Sequence, residues 1–229
     1  DVYKRQIFDY IRFGGSKDFT DKLYKNLKPT IQLELDRFNI KANELMTIKN
    51  LMSSKSGFNI LLYGAPGVGK TEFVKNLASK YGLESFFINE GGGESLSSRR
   101  AALSATLKLS NPTKHLIVID EADLLLNSEK SWIFSGISSD KSWLNHLIEQ
   151  QSNKVIWITN DVSGIGESTR RRFTYSLKFE PLNKAQQLQA WNNQISKRDT
   201  KYFDDKTLEK CALKLRLSPA AISQTVRSI

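Results

Sequence analysis

The stretch FNILLYGAPGVGKT, Phe58 to Thr71, limits what this chain can fold into more than any other. Its second half fits G-x-x-x-x-G-K-[ST], and it sits where such a loop has to sit, between an apolar run with strand character and a helical pattern. Glycines let the backbone curl so that successive N–H groups point inward at an anion, and the helix that follows adds positive potential at its N-terminus. Gly64, Ala65, Pro66, Gly67, Val68 and Gly69 therefore read as a cradle for the β-phosphate of a nucleotide. Lys70 is expected to neutralise the β- and γ-phosphates and the Thr71 hydroxyl to ligate Mg²⁺. A glycine-rich turn that matches by chance is the plain alternative.

Downstream, LIVIDEAD, Leu116 to Asp123, supplies the second half of the same chemistry. Four apolar residues make a buried central strand, and Asp120 emerges at its carboxyl end, where an open α/β sheet binds its ligand. There Asp120 can hold magnesium through its water shell, while Glu121 can orient and deprotonate an attacking water. Capping of the following turn by Asp120 and Asp123 is the bland alternative. The separation of this motif from Lys70 fits one intervening βα unit.

The rest of the chain builds a frame for these two motifs. Apolar, β-branched and aromatic runs at 58–63, 85–89, 115–120, 154–159 and 175–180 read as five strands of one parallel, doubly wound α/β sheet. Helical spacing covers 70–80, 97–109 and 143–151, and Leu45, Ile48, Leu51 and Met52 form an apolar stripe on a helix leading into the first strand. After Pro181 only helices are expected, with Asn183 and Ser218 as caps and Pro219 at a first helical position. The expected organisation is an N-terminal fragment or linker over 1–40, an αβα core over 41–181 and a small all-α lid over 182–229. A Ser- and Gly-rich stretch from Asn127 to Lys141 reads as an exposed insertion, with Trp132 and Phe134 either satellite packing or a partner contact. Since the chain opens at Asp1 and DVYKRQ resembles a translated adapter tag, it is expected to be a fragment, and residues 1–6 are set aside.

Charge points to nucleic acid only at first sight. The formal net charge is +10 over 229 residues. Yet residues 57–180 hold 14 basic and 13 acidic side chains, and the excess lies in the flanks, with 11 against 7 before residue 57 and 9 against 4 after residue 180. Dispersed lysines of this kind read as solvated faces more readily than as a binding groove. No run approaches a membrane span. The single cysteine, Cys211, excludes an internal disulfide, so a reducing cytoplasm is the expected compartment. His115 and His146 are too scattered to suggest a metal site.

The two motifs, the preceding amphipathic helix and the trailing helical lid together resemble the AAA+ ATPases, P-loop NTPases in which 64–71 is Walker A and 116–121 Walker B. The likeness is to the classical-AAA-like bacterial members and covers roughly residues 40–229. It implies that Asn160, at the end of VIWITN, is sensor 1, an amide that can hydrogen-bond the γ-phosphate and the lytic water without adding charge, with a plain Asn-Asp turn after a strand as the alternative. It also implies that an arginine of STRRRF, Ser168 to Phe173, reaches across a subunit interface to a neighbour's γ-phosphate, since guanidinium forks onto phosphate oxygens and stays charged. By position Arg172 matches first and Arg171 next, with Arg170 a helper or surface charge and a solvated basic turn the alternative. Two departures stand out: Ala220 and Ala221 occupy the usual place of a sensor 2 arginine, and NEGGGESLSS lacks the aromatic grip of peptide-threading pore loops. Arg99 and Arg100 beside it could face a central pore, although a solvated helix surface is the simpler reading. The resemblance thus implies an ATP hydrolase with ATP and Mg²⁺ as cofactors, assembled as a homo-oligomeric ring that remodels a macromolecular partner. An ATP-dependent nucleic-acid loader using the basic flanks is the alternative, and a non-hydrolysing ATP-binding module a third.

Overall fold

Strands β2 (Phe58–Tyr63), β4 (His115–Ile119) and β5 (Lys154–Thr159) are almost wholly buried, as near-continuous apolar runs must be when both faces of a parallel sheet are covered. In the computed structural model, which describes residues 20–29 (without 22), 32–88, 96–126, 139–149, 152–195 and 204–228 (without 216 and 218), they join β1 (Tyr24–Asn26), β3 (Glu84–Ile88) and β6 (Tyr175–Lys178). The six strands lie in the order β1-β3-β4-β5-β2-β6. All pairings are parallel except that of β1, which runs antiparallel to β3 with Tyr24 opposite Ile88.

The period of two sorts side chains into two layers. Leu61, Ile117, Ile119, Val155 and Trp157 face one core, closed by α3 (Leu96–Leu109) and α5 (Ser139–Glu149). Ile60, Leu62, Val118, Ile156 and Ile158 face the other, closed by α1 (Ala42–Ser53) and α2 (Lys70–Lys80). The expected αβα layering is therefore present. The short helices α4 (Asp123–Leu126) and α6 (Glu167–Arg170) follow β4 and precede β6. Beyond them α7 (Lys184–Ile195), α8 (Asp205–Lys214) and α9 (Pro219–Arg227) bury Trp191, Leu208, Ile222 and Val226 in a cluster of their own. Asn183 caps α7 by a reciprocal pair with Gln186, each backbone N–H meeting the other's side-chain oxygen at 2.9 Å.

The sheet has one strand more than the five read from sequence. β1 is three residues of polar character, YKN, with no apolar run to mark it. It is held by pairing with β3 and by the stack of Tyr24 on Phe86 at 4.0 Å, neither of which local sequence can show. Nearby Leu23 and Leu35 are also buried against the core. Among the described residues no helix is long and apolar enough to cross a membrane.

A buried polar bridge fixes the sheet to the helix behind it. Asn59, 3% exposed in β2, donates to the Ile148 carbonyl at 2.9 Å and accepts from the Trp157 indole N–H at 2.9 Å. Asn59→Leu would leave that N–H and that carbonyl unpaired. A loss of about 1–3 kcal/mol in urea denaturation is expected, and a smaller effect would mean water or a neighbour takes over the bonds.

Candidate nucleotide site

Strand order gathers the site. The turn after β2 carries Lys70, that after β4 carries Asp120, and that after β5 carries Asn160; because β5 lies between β2 and β4, Asn160 emerges between the other two. The register sharpens this, with Tyr63 opposite Thr159 and Ile119 opposite Trp157. At Gly64, with φ 142°, a Cβ would stand 2.3 Å from the Phe179 carbonyl oxygen, so only glycine lets the chain leave β2 alongside the end of β6. Gly69, in the left-handed region at φ 99°, then turns the backbone into α2.

Lys70 is 5% exposed, and its ammonium donates to the carbonyls of Gly64 at 2.6 Å and Ala65 at 2.9 Å and to Asn160 Oδ1 at 3.0 Å. Burial holds its pKa below the ordinary lysine value, opposed by the carboxylates of Asp120 and Asp123. Thr71 Oγ1 donates to Asp120 Oδ2 at 2.8 Å, so a hydroxyl and a carboxylate converge on one point. Hard oxygen donors of this kind, few in number, suit Mg²⁺, which keeps several waters and takes the rest of its shell from phosphates.

Glu121 follows with φ 47°, the one non-glycine residue at positive φ among those described. Such a conformation costs about 1–2 kcal/mol in an L-residue. The Glu121 side chain is exposed and lines a cavity of about 750 Å³ together with Lys70, Thr71, Asp120 and Asn160. Pro66, Gly67 and Gly69 of the glycine-rich loop line it too, and the lid closes it with Gln194, Pro219, Ser223 and Gln224. An adjoining cavity of about 270 Å³ has Phe38, Val68 and Leu182 in its wall. Asn39 ties its two sides, donating to the Pro181 carbonyl at 2.9 Å and accepting from Gln186 at 2.8 Å.

Reasoning from sequence missed two contributors. Asp123, read only as a possible cap, accepts from Thr159 Oγ1 at 2.6 Å and from the backbone N–H groups of Asn160 and Asp161 at 3.3 and 3.4 Å, and so pins the turn that presents Asn160. Its spacing of three from Asp120 was the available signal. Arg99, expected on a pore or a solvated surface, is instead 6% exposed and donates to the backbone carbonyls of Asp120 and Glu121. Helical spacing could not reveal this, because the buried face of α3 is set by β4 beneath it.

The three arginines lie off the cavity. Arg172 pairs with Glu149 at 2.6 Å and also donates to the Ser168 carbonyl, Arg171 pairs with Glu167, and Arg170 is exposed. Residues 89–95, Trp132 and Phe134 lie outside the described residues.

Comparison with known proteins identifies the family. Residues 60–181, just over half of the chain, match the model of the family described as "ATPase family associated with various cellular activities (AAA)". The chain is similar to a Caenorhabditis elegans protein named "ATPase family AAA domain-containing protein 3", 39% identical over 132 residues that cover 53% of this chain and 21% of that one. It is also similar to the Drosophila melanogaster "Fidgetin-like protein 1", 32% identical over 137 residues, covering 54% and 25%. The chain thus spans a fifth to a quarter of the length of these relatives.

Because burial depresses the Lys70 pKa, the folded state binds fewer protons here than the unfolded one as pH falls from 10.5 through the folded value. The ammonium is therefore a cost to the folded state below that value. Lys70→Met is expected to keep or raise Tm at neutral pH while abolishing the rise in Tm that Mg-ATP gives the parent. A variant that still gains Tm with nucleotide would show that Lys70 is not the phosphate cation.

Proposed function

Given that the chain belongs to the AAA family of ATPases, we propose that its core and lid bind Mg-ATP between them and hydrolyse it, with Glu121 as general base, Asn160 as sensor 1 and an arginine supplied by a neighbouring copy. The observation that carries this reading is the convergence of Lys70, Thr71, Asp120, Glu121 and Asn160 on one cavity walled by the helix-opening loop and the lid.

Each group has a task its chemistry suits. Lys70 exchanges the carbonyls of Gly64 and Ala65 for β- and γ-phosphate oxygens, and the backbone N–H groups of the loop take the β-phosphate. Thr71 and Asp120 would hold Mg²⁺, which when bound neutralises charge on the β- and γ-oxygens. Lys70 carries only donors, so Asn160 turns its oxygen to it and keeps both amide N–H donors for the γ-phosphate and the water. Glu121 takes the proton of that water. The base and ribose fit the adjoining cavity, whose apolar wall of Phe38, Val68 and Leu182 suits a flat ring.

Completion in trans is supported by where the arginines are. None of the three lines the chain's own cavity, and Arg172 sits on the turn before β6, held by a surface carboxylate that a neighbour's phosphate could replace. A homo-oligomeric ring gives every cavity such a partner. The lid's share of the cavity wall supports coupling of hydrolysis to lid movement, and remodelling of a macromolecular partner is the proposed use of that movement.

Turnover per chain is expected to rise with protein concentration. Glu121→Gln should bind ATP and lose about 10² to 10⁴ in turnover, and Arg172→Ala about 10³ to 10⁵. Mixing Arg172→Ala with Lys70→Ala should restore activity, since some interfaces then pair an intact loop with an intact arginine. Mixtures no more active than their components would remove the trans arginine, and full turnover by Glu121→Gln would remove the assigned base.

A further inference from the structure

We propose that Arg99 is a positioning residue for hydrolysis, a guanidinium clamp behind the Walker B turn that sets the direction in which Glu121 presents its carboxylate. The proposal rests on the reading of Glu121 as the base and extends it to α3, a helix with no residue among those lining the cavity.

The chain leaves β4 at Ile119 and enters α4 at Asp123, so it turns within three residues, and Glu121 makes that turn with φ 47°. A left-handed residue on so short a turn persists only if its surroundings over-determine it. Two of the restraints lie on the protein side: Ala122 N–H donates to the Ile158 carbonyl at 2.7 Å, and Glu121 N–H to Asp120 Oδ1 at 3.0 Å. The carbonyls of Asp120 and Glu121 are left to Arg99, whose Nη2 donates to the first and whose Nη1 donates to the second at 2.9 Å. Together these two bonds fix both peptide planes flanking the Glu121 Cα. Rotation of either plane swings Cβ, and with it the carboxylate, away from the place where an attacking water must lie.

The residue type fits this task and not a looser one. A planar guanidinium reaches two successive carbonyls at once with pre-set geometry, whereas the ammonium of lysine is a point donor. Arg100, the next residue, lies instead over the Trp143 ring at 5.2 Å, so the first turn of α3 does not simply carry two interchangeable cations. The Lys70 bonds do not involve Arg99, and Thr71 meets the Asp120 carboxylate and not the carbonyl that Arg99 holds, so nucleotide affinity should depend on Arg99 far less than turnover does.

The test compares kcat and KM for Mg-ATP and the nucleotide Kd in the wild-type chain, Arg99→Lys and Arg99→Met, each also in a Glu121→Gln background. The expected result is a fall in kcat of about 10- to 100-fold, the usual effect of a group that orients a reacting one, with Kd unchanged. In the Glu121→Gln background either substitution should lower the residual rate no further, because both changes act on one carboxylate. Wild-type kcat in both single variants, loss of Kd in step with kcat, full additivity with Glu121→Gln, or loss of the folded far-UV circular dichroism spectrum in both would each overturn the proposal. An inactive Glu121→Gln beside fully active Arg99 variants would sink the clamp alone. An active Glu121→Gln would sink the assigned base and the clamp with it.

Discussion

The placement of β5 between β2 and β4 is the constraint on which the rest of the site depends. Without that order, the loop that holds Lys70 and the strand end that holds Asp120 would be direct neighbours, with no room for Asn160 between them. With it, a single ammonium ties the exit of β2 to the exit of β5, and one hydroxyl–carboxylate bond ties the start of α2 to the exit of β4. The polar side chains at these three strand ends thus form one connected network over a sheet whose interior is apolar. Burying the Lys70 ammonium is costly, and three acceptors within 3.0 Å offset part of that cost.

Support from behind matters as much as the groups that face the cavity. Glu121 in a left-handed conformation costs about 1–2 kcal/mol, and hydrogen bonds from a charged donor each return about 1.5–3 kcal/mol, so the two Arg99 bonds are enough to hold it there. Asp123 does the equivalent for Asn160, gathering a hydroxyl and two backbone N–H groups on one carboxylate oxygen. Among the described residues the lid contributes amide and hydroxyl groups to the cavity wall, and Lys70 is the core's cation there. In the single chain, Arg172 is engaged by Glu149, which keeps a cation in place on the surface.

Much of this was legible because the motifs are contiguous and their physics is local. A glycine loop between an apolar strand and a helix has few alternatives, and an acidic pair closing LIVIDE emerges where a buried strand ends, at the carboxyl end of the sheet. Strands β2 to β5 were readable because burial on both faces demands nearly unbroken apolar runs, whereas β6 buries only Leu177 of YSLK. β1 was not, since three polar residues owe their strand conformation to β3. Arg99 was misread as pore-facing or solvated because charge on a helix usually means solvent, and the carbonyls that draw it inward lie more than twenty residues away in the chain. Asn59 left no mark either, for its partners Ile148 and Trp157 are remote in sequence.

The sequence by itself determined which side chains are available for the proposed chemistry, and that a covered parallel sheet presents them. Tertiary structure alone decided how they meet. Strand order placed Asn160 against Lys70, the turn at Glu121 required a clamp from α3, and the arginine run was set off the chain's own cavity. Local composition fixes what a residue can do, while hydrogen bonds between strands and helices distant in the chain fix where it does it, and those pairings are settled only when the whole sheet closes.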